Sequence, residues 1–585
     1  MKIFLLSLAG AFAALLLFFV GGFFAIAGIV GVASAADPKP DNIVLTLDLR
    51  EDFADQAPPV GFAAFSGQVG FIDIMTRLES ARSDDAVSGL YIRANDFGVG
   101  SARAEELRDA IRDFRASGKF VIAHSQGSPL NAGASSLRSV SAADELWMQP
   151  GTEISVSGVA FETIFLKGLF DRLSVSAEIE QFYEYKNAPN VYKNDSYTEP
   201  HREAMTALAQ DLWSVSTRDI SDDRSLPVAQ LTALLEAGPV PAEAALEARL
   251  VDKLGWPADA EQAALERAGE TAELMAIASY TAPVAPARAP MIAVVGGEGG
   301  IVSGYANQDL FSNTVGFGSD TVAAAIREAG DDDRVQAIVF RVDSPGGSAT
   351  ASDQIWQAVE AAQAKGKPVI VSMGSVAASG GYYVSAGADH IVASETTITG
   401  SIGVFGGKFA VADGLEEIGV TSETITVGGT YADAWGTEAF ADDERALLRD
   451  ALARTYDRFI GIVAEGRDLT RDEADARARG RVWSGQDALG LGLIDSLGGF
   501  RDAIERAKEL ADIDPETQVR LLYYPERREG FEALDGFLAS TGDTTETLAL
   551  ISALANNPRF RALASDAAAL NSGEVQARMP SFTER

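Results

Sequence analysis

The chain of 585 residues contains no cysteine. That removes thiol nucleophiles, thiolate metal sites and disulfide staples in one step. Histidine is nearly absent too: His124, His201 and His390 are the whole supply. No His-Glu-x-x-His metal motif occurs. Basic residues are scarce, with 48 Lys and Arg against 84 Asp and Glu, a net charge of −36. Phosphate contacts need basic patches, so such a chain is a poor nucleic-acid binder. Gly296–Gly300 is glycine-rich after a β-type run, but its spacing does not match Gly-x-Gly-x-x-Gly, which rejects a dinucleotide site. No cofactor and no metal are expected.

Charge is also missing from the first 36 residues, where Lys2 is the only charged side chain before Asp37. A secretory signal core runs to about 7–15 residues, and a membrane-spanning helix needs about 20. Ile3–Ala36 is long enough to span, so residues 1–36 are expected to form a transmembrane anchor. Ala33-Ser34-Ala35 resembles a cleavage site, and a cleaved signal is the competing reading. Lys2 favours a cytoplasmic N-terminus with the remainder exported.

What is present in quantity is apolar residues, 47% of the chain, and length enough for roughly three or four domains. The exported part reads as a duplication. Asp84–Asn95 matches Asp332–Asp343 at an offset of 248, and Gly118–Ile122 matches Gly366–Ile370 at the same offset. Leu250–Gly255 similarly matches Leu493–Gly498. Helical stretches are expected at Ala102–Ser117 and Ala351–Lys365. Strand–helix–strand alternation argues an α/β fold with parallel pairing inside each half. The Pro/Ala-rich stretch Thr281–Pro290 separates the halves. The expected domains are 1–36, 37–285, 286–511 and a mainly helical tail 512–585, with amphipathic candidates at 531–538 and 546–554.

Chemistry concentrates in the second half. An apolar run from Pro368 to Val371 feeds a small-residue turn, which delivers Ser379 ahead of a helix-compatible stretch, Gly380–Asp389. Free backbone N–H groups and the positive end of a helix dipole favour an acyl-transfer nucleophile there. An ordinary serine N-cap is the plainer reading. The first half has Asn131 at the position of Ser379 and Asn95–Gly100 where the second has Asp343-Ser-Pro-Gly-Gly-Ser348. It therefore lacks a nucleophile.

A serine nucleophile needs a proton acceptor. His390 follows Ser379 by eleven residues, where a helix ends and an apolar strand begins, and suits packing or a helix C-terminus better. His124 and His201 suit surface or supporting roles. Lysine is the other base, if burial lowers its pKa. Two candidates stand open on the residues alone. Lys408 sits in Gly406-Gly-Lys-Phe409, a glycine-flanked loop expected to be solvated. Lys186 follows a β-type run in Tyr183–Asn190 of the first half, and a solvated surface position is its default.

Ala378-Ser379-Gly380-Gly381-Tyr382, Asp343-Ser-Pro-Gly-Gly347, Thr399-Gly-Ser-Ile-Gly403 and Tyr185-Lys186-Asn187-Ala188 ending at Arg202-Glu-Ala204 together resemble the signal peptide peptidase A (protease IV) family, in its long two-repeat bacterial form. The resemblance covers most of residues 1–510. Asn187 departs from the serine usual in the family's lysine segment. The resemblance implies a tandem repeat of the Clp protease/crotonase-like β/α superhelix. It implies Ser379 as nucleophile, Lys186 as base, Ser401 as the hydroxyl that orients Lys186, and Gly346 and Gly380 as oxyanion donors. It further implies remnant signal peptides as substrates, contact with membrane lipid, a homotetramer, and a site on the periplasmic side of a bacterial inner membrane. The alternatives are a crotonase-type acyl-CoA enzyme and a catalytically inactive membrane scaffold.

Overall fold

The structure is a computed structural model and describes residues 40–51, 53–57, 69–128, 132–283, 285–306, 316–429, 431–526, 576–578 and 583–584. The matched blocks of sequence become matched strands. In the first half the order across the sheet is Glu273–Ala276, Ile43–Asp48, Val87–Arg93, Phe120–Ser125, Glu145–Met148 and Lys253–Leu254, all parallel. In the second it is Arg520–Tyr524, Met291–Glu298, Val335–Ser344 and Val369–Ala378, again parallel; there the sheet forks, one branch running through His390–Ala393 to Ser496–Leu497, all parallel, the other through parallel Ile398–Gly400 to antiparallel Val482–Ser484. The central strands are near-continuous apolar runs, as a parallel sheet covered on both faces requires. Ile338, Val339 and Phe340 are wholly buried. The connecting helices are Ser101–Ala116 and Ala349–Gln363, each begun slightly earlier than the periodicity predicts. Ser348 sets the second start, since its hydroxyl accepts from the Ala351 N–H at 3.3 Å.

Each half has its own large apolar core, one drawn from Ile43 to Tyr280 and the other from Ala293 to Tyr524. The halves are then joined by backbone. Ser176–Phe182 of the first half pairs antiparallel with Val404–Ala410 of the second, from Ser176 opposite Ala410 to Phe182 opposite Val404. This arm carries the segment after Phe182, and Lys186 with it, out of its own half.

Arg520–Tyr524 is the edge strand of the second sheet, so that half extends past residue 511, where a mainly helical tail was expected to have begun. The described parts of the remaining tail, Gln576–Arg578 and Thr583–Glu584, are strands. The helices expected at 531–538 and 546–554 lie outside the described residues, as does the apolar span 1–36. Among the described residues no helix is long and apolar enough to cross a membrane.

Candidate active site

The strand Val369–Ala378 ends directly at Ser379, and the helix that follows is short, Gly380–Ser385, rather than running to Asp389. Ser379 is completely buried and holds φ 56°, ψ −113°. A non-glycine residue in that region costs about 1–3 kcal/mol and persists only when its surroundings hold it. Here two bonds do so: the Ser379 N–H donates to the Gly400 carbonyl and the Tyr383 N–H to the Ser379 carbonyl, each at 2.8 Å.

Lys186 reaches this point from the other half. Its Nζ lies 2.6 Å from Ser379 Oγ, 2.9 Å from the Ser401 carbonyl oxygen and 3.1 Å from Ser401 Oγ. Ser401 is itself fixed at φ 50°, its N–H donating to the Arg481 carbonyl at 2.6 Å. Lys186 is fully buried, and that burial alone pushes its pKa well below the ordinary lysine value. No carboxylate is among the causes of the shift, and the amine's partners are the oxygens of Ser379 and Ser401.

The loop Asp343–Ser348 runs alongside. Ser344 stands opposite Ala377 in the strand register, and a Cβ on Gly381 would come within 2.7 Å of the Ser344 carbonyl oxygen. Glycine at 381 therefore lets this loop approach the Ser379 turn. Gly346 has φ +98°, and its N–H donates to Ser344 Oγ at 3.1 Å; that hydroxyl in turn donates to the Gly299 carbonyl at 2.7 Å. The expected oxyanion donor thus has an internal acceptor in this state.

Behind the loop lies a buried charge cluster that spans the halves. Arg341 donates to both oxygens of Asp55, at 2.8 and 2.9 Å, and to Glu106 at 2.8 Å. Arg103 stands 3.6 Å from both Glu298 and Asp343. Burial first, then the charges of Asp55 and Asp343, push Glu298 up to about 8. Its folded pKa lies above the ordinary carboxyl value of 4.5. The folded state then keeps a proton that the unfolded chain releases, and stability falls as pH rises from about 4.5 to 8. Glu298→Gln is expected to melt progressively higher than wild type between pH 5 and pH 9. Melting curves that stay parallel across that range contradict the assignment.

The remaining candidates separate clearly. Lys408 is not a solvated loop residue. It lies in the strand Val404–Ala410, is buried, and donates from Nζ to the Ala434 and Gly436 carbonyls at 2.6 and 3.1 Å, with the Phe440 ring 4.4 Å away. His124 and His201 are core residues, not surface ones. His124 Nε2 meets the Gly255 carbonyl at 3.0 Å, while burial and then the Arg202 charge lower His201 to about 4. His390 starts a strand and pairs with Ser496 Oγ at 2.9 Å. Asn131 lies outside the described residues. Gly480 was not anticipated: a Cβ there would fall 2.4–2.6 Å from the Lys186 backbone and Cβ. Among the described residues no group of acidic and histidine side chains is placed to hold a metal.

Known proteins are similar to this chain in sequence. The model of Peptidase family S49 matches twice, over residues 114–271 and 361–514. Protease 4 of Salmonella typhi is 35% identical over 77% of this chain and 73% of its own. Protease 4 of Haemophilus influenzae is 32% identical over 77% and 75%, and the chloroplastic serine protease SPPA of Arabidopsis thaliana 28% over 82% and 71%. A solved ClpP1 from Listeria monocytogenes overlaps 36% of this chain and 94% of its own at 15% identity, with a TM-score of 0.22, too low to carry an argument. With a buried serine at the end of its central strand and the family's domain present twice, the chain belongs to peptidase family S49 and is a serine protease.

Proposed function

We propose that this protease is a membrane-anchored endopeptidase with a Ser379–Lys186 dyad, acting on cleaved signal peptides at the periplasmic face of a bacterial inner membrane. The observation that carries the dyad is the 2.6 Å approach of Lys186 Nζ to Ser379 Oγ, made by two residues from different halves. Neutral Lys186 takes the Ser379 proton as Oγ attacks the scissile carbonyl. Ser401 Oγ and its carbonyl hold the amine toward the serine and accept from it when it becomes charged. Backbone N–H groups of Gly346 and Gly380 stabilise the tetrahedral oxyanion, Gly346 exchanging Ser344 Oγ for the substrate. Protonated Lys186 then donates to the leaving amine. Water, deprotonated by the same lysine, hydrolyses the acyl ester and regenerates Ser379.

Two features support an apolar, extended substrate. The 34-residue run Ile3–Ala36 carries no charge and suits an anchor that keeps the site near the bilayer. A groove of about 410 Å³, lined in part by Val159, Phe161, Tyr197 and Met205, adjoins the apolar cluster that holds Ala378 and Val376. A homotetrameric ring would enclose such sites and keep folded proteins out. The full chain in detergent micelles is expected to cut a synthetic apolar signal peptide and to spare a hydrophilic peptide of equal length, read by mass spectrometry. Equal cleavage of both, or cleavage of the hydrophilic peptide alone, overturns the substrate assignment.

A further inference from the structure

The strand that delivers Ser379 is not regular. Its pairing with Val335–Ser344 runs in register from Ile338 opposite Val369 to Val342 opposite Met373, and then skips to Ser344 opposite Ala377. Gly374–Val376 therefore form a bulge, which ends three positions before the nucleophile. A bulge bends its strand and re-aims what the strand carries.

Two side chains of the second half hold this bulge. The Val376 N–H donates to Asp343 Oδ1 at 3.0 Å, and the Gly374 carbonyl accepts from Thr397 Oγ1 at 2.9 Å. Thr397 also opens the segment that completes the site. Ile398–Gly400 pairs with Val376–Ala378, the Gly400 carbonyl accepts the Ser379 N–H, and Ser401 follows with its two contacts to Lys186 Nζ.

One helix of the first half, Ser101–Ala116, grips both supports. Arg103 stands 3.6 Å from Asp343. Glu105 closes on the loop just before Thr397. One of its carboxylate oxygens accepts the Glu395 N–H at 2.8 Å; the other accepts the Thr396 N–H at 3.3 Å and the Thr396 hydroxyl at 2.9 Å. Arg138, wholly buried and bonded to Asp219, stands 3.0 Å from that second oxygen and donates to Thr396 Oγ1 at 3.2 Å. A carboxylate that receives two backbone N–H groups fixes the loop itself and not merely a side chain on it. At the matching place of the repeat, Asp353 instead accepts from Tyr383 and Arg458 of its own half. The grip across the boundary is thus particular to the first-half helix.

We propose that Glu105 is a positioning residue for the catalytic pair. By holding Glu395 and Thr396 it fixes the segment that carries Ser401 and braces the bulge that aims Ser379. The first half then supplies the alignment of the nucleophile as well as Lys186. The proposal rests on the Ser379–Lys186 reading.

Glu105→Gln keeps the size of the side chain and one acceptor oxygen but sets an amide donor against a backbone N–H. Thr396→Val removes the hydroxyl link from the other side at nearly constant shape. Both are measured in the full chain for signal-peptide cleavage, fluorophosphonate labelling of Ser379 and melting temperature, beside Arg218→Ala. Arg218 meets only the Glu395 side chain of this loop, at 2.8 Å to each oxygen, so its removal weakens the contact between halves without releasing the loop backbone. Glu105→Gln is expected to lower kcat about 10- to 100-fold with KM within about twofold, and to slow Ser379 labelling by a similar factor, because small misplacements of reacting groups cost rate rather than binding. Arg218→Ala is expected to keep kcat and labelling near wild type. Wild-type kcat and labelling in Glu105→Gln overturn the proposal and leave the dyad standing. An equal loss in Arg218→Ala, or a loss in Glu105→Gln that falls on KM instead of kcat, makes Glu105 an ordinary tie between halves and also overturns it. If Glu105→Gln does not fold, Thr396→Val decides by the same readings. A wild-type chain that is not labelled at Ser379 sinks the dyad reading, and the positioning role with it.

Discussion

Ser379→Ala and Lys186→Met each lower kcat/KM for peptide cleavage by at least about 10³-fold, and the double variant loses little more than either alone, because groups that act as one unit are not additive. The two losses have different physical origins. Ser379→Ala removes the atom that bonds to the substrate. Lys186→Met leaves that atom in place but removes its proton acceptor, and methionine fills a similar apolar volume. Stability separates this from unfolding. Burial depresses the Lys186 pKa, so the folded chain releases a proton that the unfolded chain keeps until about pH 10.5. Stability contributed by this group therefore rises with pH from the folded pKa toward 10.5 and is lowest below both. At neutral pH the buried amine is a cost, and Lys186→Met is expected to melt at or above wild type while being inactive. Activity falls in acid as Lys186 takes up its proton. Peptide kinetics beside calorimetry check both halves of this expectation. A Lys186→Met chain that is folded and retains near-full activity removes the lysine from the mechanism.

Arg341→Ala is expected to be the most destabilising single change at the contact between halves, at roughly 3–5 kcal/mol. Arg341 is completely buried and bonded to Asp55 and Glu106, both from the first half. Burial pushes Asp55 up, yet the charge and hydrogen bonds of Arg341 more than offset it and leave its pKa low. Glu106, also buried, stays raised despite the same arginine. Removing Arg341 strands two carboxylates in the interior. They escape only by taking protons, so the loss is expected to shrink as pH falls toward 5. Denaturant melts at pH 5 and pH 8 measure it. A loss under 1 kcal/mol at pH 8, or one that grows in acid, contradicts the role given to this cluster.

The fold was legible because the duplication is a local pattern. Strand Val87–Arg93 and its repeat beginning at Val335 carry their own apolar runs, and parallel pairing follows from the helices between them. Ser379 was legible for the same reason, as a strand-to-helix turn marked by small residues. Lys186 was not. It lies 193 positions from Ser379 and arrives by the Ser176–Phe182 arm, and only the family resemblance raised it above Lys408. The glycines beside Lys408 suggested an exposed loop, yet pairing across that arm buries it under Ala434 and Gly436. Arg93 and Arg341 occupy equivalent places in the repeat, and nothing local distinguishes them. Only Arg341 meets Asp55 and Glu106, which is a property of how the halves meet. The strand at 576–578 is equally non-local, since its partners Gly346–Ser348 and Phe405 lie 171 to 232 positions earlier in the chain.

The central claim is that neutral Lys186 activates Ser379. The most direct measurement is the pH dependence of covalent labelling by a fluorophosphonate, with the modified residue located by mass spectrometry, in wild type and Lys186→Met. The account predicts an adduct on Ser379 in wild type, formed with a single ionisation well below the ordinary lysine range, and almost none in Lys186→Met at any pH up to 9. Labelling of Ser379 in Lys186→Met at the wild-type rate, or an adduct on another serine, would contradict it.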